Sequence, residues 1–225
     1  MSSHFDRDAR DYHRRRPREA NSGKTILIVS EGVVTEPQYL VALRNHLRLH
    51  STDVEIVHGG ATDPVNIVDH ALKLRKARQK AARKGKTVAY DEVWCVFDGE
   101  GPPRRENLAR AVDRAKATGV SVALSHPCFE YWLVLHETYT TATFANYEAV
   151  KRRLREFHPE YDKHVPTDLL IPEKVPTAVT HARRVRADHQ KTGATTPVTE
   201  MDLLVVSMNE ATREHLRITI PDPAA

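Results

Sequence analysis

The sequence is poor in cysteine, in aromatic residues and in any apolar run long enough to span a bilayer. Only Cys95 and Cys128 occur in 225 residues. The first lies in an apolar run and the second between Pro127 and Phe129, so both read as small buried hydrophobes rather than a disulfide. No C-x-x-C and no histidine pair at zinc-ligand spacing is present, which argues against a zinc site although 13 histidines are scattered along the chain. There is no G-x-x-x-x-G-K-[ST], so P-loop hydrolysis of ATP would have to come from another protein. Without a transmembrane-length stretch or an apolar N-terminal segment, a soluble cytoplasmic protein with no membrane association is expected. No internal repeat stands out.

What is present suits one α/β domain with extensions. Hydrophobic residues make up 40% and charged residues 28%, enough for a buried core. The net charge of +4 is a mild basic bias that permits a nucleic-acid partner without demonstrating one. Residues 1–23 carry Arg7, Arg10, Arg14, Arg15, Arg16 and Arg18 with few apolar partners and read as a disordered basic tail.

Thr25 to Val29 is a β-branched run suited to a strand buried on both faces, ending in Ser30-Glu31-Gly32. Thr35 is placed to cap a helix that Pro37 opens, with Tyr39, Leu40, Leu43 and Leu47 at helical spacing. Val54 to Val57 is a second strand, followed by a long basic helix from about Pro64 to Arg83. Its outer face, with Lys73, Arg75, Lys76, Arg78, Lys80 and Arg83, reads first as solvated and only second as a phosphate contact. Glu92 to Phe97 is the clearest strand and runs into Asp98-Gly99-Glu100. A helix from Arg104 to Thr118, a fourth strand from Val120 to Leu124 and a compact apolar helix from Phe129 to Glu137 follow. Further helices are expected around 146–157, 173–191 and 199–209. The alternation predicts a mostly parallel sheet flanked by helices, with a catalytic core over 24–145 and a mainly helical extension over 146–220 packed on it.

Sites in such sheets form at the carboxyl ends of strands. Two strands here end in acids: Glu31 after the first, Asp98 and Glu100 after the third. Residues two apart at a strand end can point the same way, so Asp98 and Glu100 can address one cation, and Glu31 joins them if its strand is a neighbour. Singly, each acid is an ordinary loop or cap residue. Jointly, with hard oxygen donors and no Cys or His among them, they favour Mg²⁺ or Mn²⁺, and with it phosphodiester chemistry. Glu130, opening the apolar helix, is either a favourable charge at a helix N-terminus or a further acid at that site. Lys24, Arg104 and Arg105 are candidate phosphate contacts, or merely balance the acids; Lys163 and Lys174 are weaker candidates. His136 reads as a buried polar contact first and a phosphate contact second, and Phe129 and Trp132 as core.

Three blocks carry a resemblance. Ile26 to Gly32 with Thr35, Glu36 and Tyr39 is similar to the opening motif of the RloB family. Glu92 to Glu100 resembles its second block, and Ser125-His126-Pro127-Cys128-Phe129-Glu130 its third, usually Ser-Asn-Pro-x-Phe-Glu. A weaker likeness covers Thr196 to Leu204. The resemblance implies a Toprim-like fold and a Mg²⁺-dependent nuclease, cutting RNA (transfer RNA included) or DNA in antiphage, abortive-infection defence beside an ATPase partner encoded nearby. It implies that Glu31 is a general acid/base or metal ligand and that Asp98 and Glu100 bind the metal. Asp-x-Glu replaces the more usual Asp-x-Asp, lengthening one ligand arm. His126, counted with the substrate-binding candidates, replaces the usual Asn. A non-catalytic regulatory or partner-binding subunit is the alternative reading. Strand passage or primer synthesis ranks last, because no tyrosine has a distinctive context.

Overall fold

The computed structural model describes residues 24–51, 53–60, 63–99, 104–169 and 172–222, and of residues 104–106 the backbone alone. The tail expected over 1–23 and the side chains of Glu100, Arg104 and Arg105 lie outside the described residues.

Five strands form one sheet in the order β2-β1-β3-β4-β5: β1 (Ile26–Ser30), β2 (Val54–His58), β3 (Glu92–Asp98), β4 (Ser121–His126) and β5 (Val198–Thr199). The first four are parallel and β5 is antiparallel to β4. Among the described residues seven α-helices flank the sheet: α1 (Thr35–His46), α2 (Pro64–Arg83), α3 (Arg104–Ala117), α4 (Glu130–Glu137), α5 (Tyr147–Arg155), α6 (Val175–Thr192) and α7 (Met201–Ala211). No described helix is long and apolar enough to cross a membrane.

The uninterrupted apolar run in β1 is explained by burial on both sides. Ile26 and Ile28 enter the core formed with α1 and α4 to α7, while Leu27 and Val29 enter the core formed with α2 and α3. β3 divides the same way, with Trp94 and Val96 on the first side and Val93, Cys95 and Phe97 on the second. Asp63 caps α2 by accepting from the Val65 and Asn66 amides, and Pro64 takes the first position, where no donor is lost.

Three local expectations are corrected. Thr35 does not cap α1: it is the first helical residue, and its hydroxyl donates to the Lys163 carbonyl at 2.8 Å. β4 runs on through His126, because Ser125 and His126 pair with Thr199 and Val198. Thr199, expected to open a helix, therefore lies with Val198 in a strand, and α7 begins at Met201.

Candidate metal centre

Because β1 and β3 are hydrogen-bonded neighbours, their carboxyl ends bring Glu31 beside Asp98. The Glu31 amide continues the ladder by donating to the Val96 carbonyl at 2.9 Å. The Asp98 amide in turn donates to Glu31 Oε2 at 3.3 Å, and Asp98 Oδ1 accepts from the Phe129 amide at 2.8 Å. Each carboxylate is thus held at one oxygen by backbone from the next strand end, which helps to fix the pair. Gly99 is required here: a Cβ on it would lie 2.4 Å from His126 Nδ1, so only glycine allows β3 to turn beside β4.

A cleft of about 590 Å³ opens at this rim. Glu31 and Asp98 line it together with Glu36, Glu130, Tyr147 and Lys163. Glu36 is a functional candidate that reading the sequence missed as such. It is 6% exposed, and its Oε1 accepts from the Gly32 amide at 3.0 Å, closing the turn after β1. A Cβ on Gly32 would collide with that carboxylate. Burial raises the proton affinity of Glu36; the amides of Glu36 and Gly32 oppose this, and the neighbouring charge of Glu130 adds to it. The available signal was a second acid five residues after Glu31, across the same glycine turn.

Glu130, also 6% exposed, accepts from the Tyr161 hydroxyl at 2.8 Å. Tyr161 belongs to a strap between α5 and α6 that lies over the first turn of α1. The strap is fastened there by the Thr35 bond to Lys163 and by the Val165 amide, which donates to Gln38 Oε1 at 3.0 Å. Lys163 adopts a left-handed backbone, with φ of 66°. Among the described residues lining the cleft it is the only lysine or arginine. The Tyr147 hydroxyl is buried without a hydrogen-bond partner among the described residues, and burial pushes it up to about 12.

Of the remaining candidates, Lys24 and His136 fall elsewhere. Lys24 precedes β1 and so sits at the opposite rim, paired with Glu92 and Glu210 at 2.8 Å each. It is too far along the strand direction to meet a phosphate at the cleft. His126 stands at the correct rim but against the Gly99 backbone, outside the cleft lining. His136 is 3% exposed and is core: its Nδ1 donates to the Trp132 carbonyl at 2.9 Å, leaving Nε2 to accept from the Tyr39 hydroxyl at 3.1 Å. It is no substrate contact. Arg104 and Arg105 begin α3, after the acidic turn.

Burial pulls His136 from 6.5 down to about 4. The unfolded chain therefore takes up this proton first as pH falls. The stability held by neutral His136 is present above pH 6.5 and is lost on descent through pH 4. Denaturant unfolding of wild type should lose about 2 kcal/mol more than His136→Phe between about pH 7 and pH 5. Equal losses in both proteins would refute the assignment.

The donor set fits a hard divalent cation. It consists of oxygens alone, the acids repel one another, and Mg²⁺ is commonly held by only one or two carboxylates plus water and substrate oxygens. Among the described residues, the one group of three donors within 4.8 Å of one another lies elsewhere: Glu137, His158 and Asp168. There the Lys174 ammonium is 2.6 Å from Glu137 and 3.2 Å from Asp168, so a cation is already supplied and the cluster anchors the two ends of the strap.

No curated protein and no solved structure matches the chain. A family model described as RloB-like protein matches residues 26–208, which takes in β1 through most of α7. The chain belongs to the RloB-like protein family.

Proposed function

We propose that this protein is a Mg²⁺- or Mn²⁺-dependent nuclease of Toprim type. It hydrolyses phosphodiester bonds in RNA, transfer RNA included, or in DNA, in antiphage abortive-infection defence with an ATPase partner. The observation that carries this reading is the meeting of Glu31, Asp98 and Glu130, from three successive strand ends, in one cleft. Glu31 and Asp98, with Glu100, would hold the cation. Bound there, it would polarise the phosphodiester and offset the charge that develops on its oxygens. Lys163 reaches the same space and supplies a positive charge for a non-bridging phosphate oxygen. Glu36, with its proton held more tightly than an ordinary carboxyl, is suited to deliver a proton to the departing sugar oxygen. Tyr161 positions Glu130. The ATPase partner is what the resemblance to the RloB family implies; this sequence carries no P-loop of its own.

The test incubates purified protein with total RNA, transfer RNA and DNA, in Mg²⁺, Mn²⁺ or EDTA, with and without the ATPase encoded beside it. Cutting that needs the metal supports the reading. Intact substrates in the presence of the activating partner would favour the regulatory-subunit alternative instead. Lys163→Ala should slow cutting by roughly tenfold to a hundredfold, the range of one charged hydrogen bond, with Lys163→Arg recovering part of it. Unchanged steady-state rates for Lys163→Ala would remove this residue from the phosphate site.

A further inference from the structure

α2 carries a charge pattern that its own packing does not explain. Residues 64–86 hold eight lysines and arginines against one acid, Asp69. Lys73, Lys76, Lys80 and Arg83 are all exposed, and their spacing of three, four and three residues puts them in one stripe along the helix. Like charges at these spacings destabilise a helix. The helix dipole favours cations in the last turn, which accounts for Lys80 and Arg83 but not for Lys73 and Lys76 in the middle. Among the described residues none of the four has an ion-pair partner: the one acid of the helix itself, Asp69, is taken by Arg114 of α3, and Glu55 beside it by Arg78. The opposite side of α2 is fully committed, with Ile67, Val68 and Ala71 in the core.

We infer that this stripe is a track for the phosphate backbone of a nucleic acid whose cut site lies in the cleft. The class of partner rests on the proposed function; the stripe itself does not. α2 starts at the catalytic rim, and at 1.5 Å per residue the stripe runs from about 14 to about 28 Å along it. A mononucleotide in the cleft cannot reach it. A base-paired segment can, because its phosphates advance about 3.4 Å per step. The substrate class is therefore a nucleic acid extending several nucleotides from the scissile bond, with a duplex as the form tested, rather than a free nucleotide.

The experiment measures binding without cutting. Full-length protein carrying Asp98→Asn is titrated in EDTA with fluorescent RNA and DNA duplexes of about 20 base pairs, over a salt series. Substituting Lys73→Gln, Lys76→Gln, Lys80→Gln and Arg83→Gln together should weaken binding at least about tenfold and make the slope of log affinity against log salt shallower by about three. A control removes four cations elsewhere, Arg48→Gln, Arg152→Gln, Arg184→Gln and Lys191→Gln, and should leave the slope nearly unchanged. Equal effects in stripe and control would reduce the matter to net charge and overturn the proposal. So would an unchanged slope, no duplex binding at all, or loss of ATPase association with duplex binding intact. If the stripe behaves as stated while the wild-type cleft cuts nothing with its activator, the nuclease reading fails and the track stands.

Discussion

Asp98→Asn is expected to reduce metal-dependent cutting at least on the order of a hundredfold, the effect of removing about 3 kcal/mol of charge stabilisation from a reacting phosphate. The substitution is close to isosteric, and the amide oxygen can still accept from the Phe129 amide as Oδ1 does. The fold should therefore persist, with a melting temperature within about 2 °C of wild type. Glu31→Gln should behave similarly, since its amide oxygen can keep the bond from the Asp98 amide. Combining the two should cost little more than either alone, because groups that act as a unit are not additive. Calorimetric titration with Mg²⁺ supplies a second readout: the variants should show weakened metal binding with intact unfolding curves. A variant that cuts at the wild-type rate would remove Asp98 from the chemistry and leave it as a backbone clamp for the start of α4.

Asp202→Asn should unfold the protein about 10 °C earlier, from a loss of about 3 to 5 kcal/mol. Asp202 is fully buried and makes two 2.6 Å bonds to the guanidinium of Arg186, one from each nitrogen. Arg186 also donates to the Thr199 carbonyl at 2.8 Å, so a single pair joins α6, α7 and the short β5. Removing the negative charge leaves a partly desolvated cation, its side chain 27% exposed, without its main counter-ion, which is costlier than never having built the pair. Replacing both partners, Arg186→Met with Asp202→Leu, should recover much of the loss. A melting shift under about 2 °C for the single substitution would show that water replaces the carboxylate, contrary to the burial seen here.

The strands were legible because they are buried on both faces. Ile26 to Val29 and Val93 to Phe97 need no alternation, and an unbroken apolar run is what two packed layers require. The boundaries of α2 were legible from Asp63, Pro64 and the glycine that follows. β5 was not: two residues cannot display a period, and Val198–Thr199 is extended only because β4 offers it a partner. The acids at strand ends could be read from position alone, since a residue following a parallel strand lies at the active rim. The same rule, applied in reverse, disposes of Lys24, which precedes its strand. Tyr161 was beyond local reading, and Lys163 could be named only as a weaker candidate, from its charge alone. Their place at the cleft depends on bonds to Thr35 and Glu130, more than a hundred and about thirty positions away, and no spacing along the chain announces such a meeting.

The strap has a consequence for how this protein can be divided. Glu31, Glu36 and Asp98 all occur in the first hundred residues, yet the lysine and the tyrosine that complete their surroundings arrive after α5. The strap is then pinned back to the first turn of α1 and, through Lys174, to the end of α4. A fragment ending near residue 145 would keep the acids and lose the cation beside them. On the proposed function, the smallest piece able to cut is therefore nearly the whole described chain.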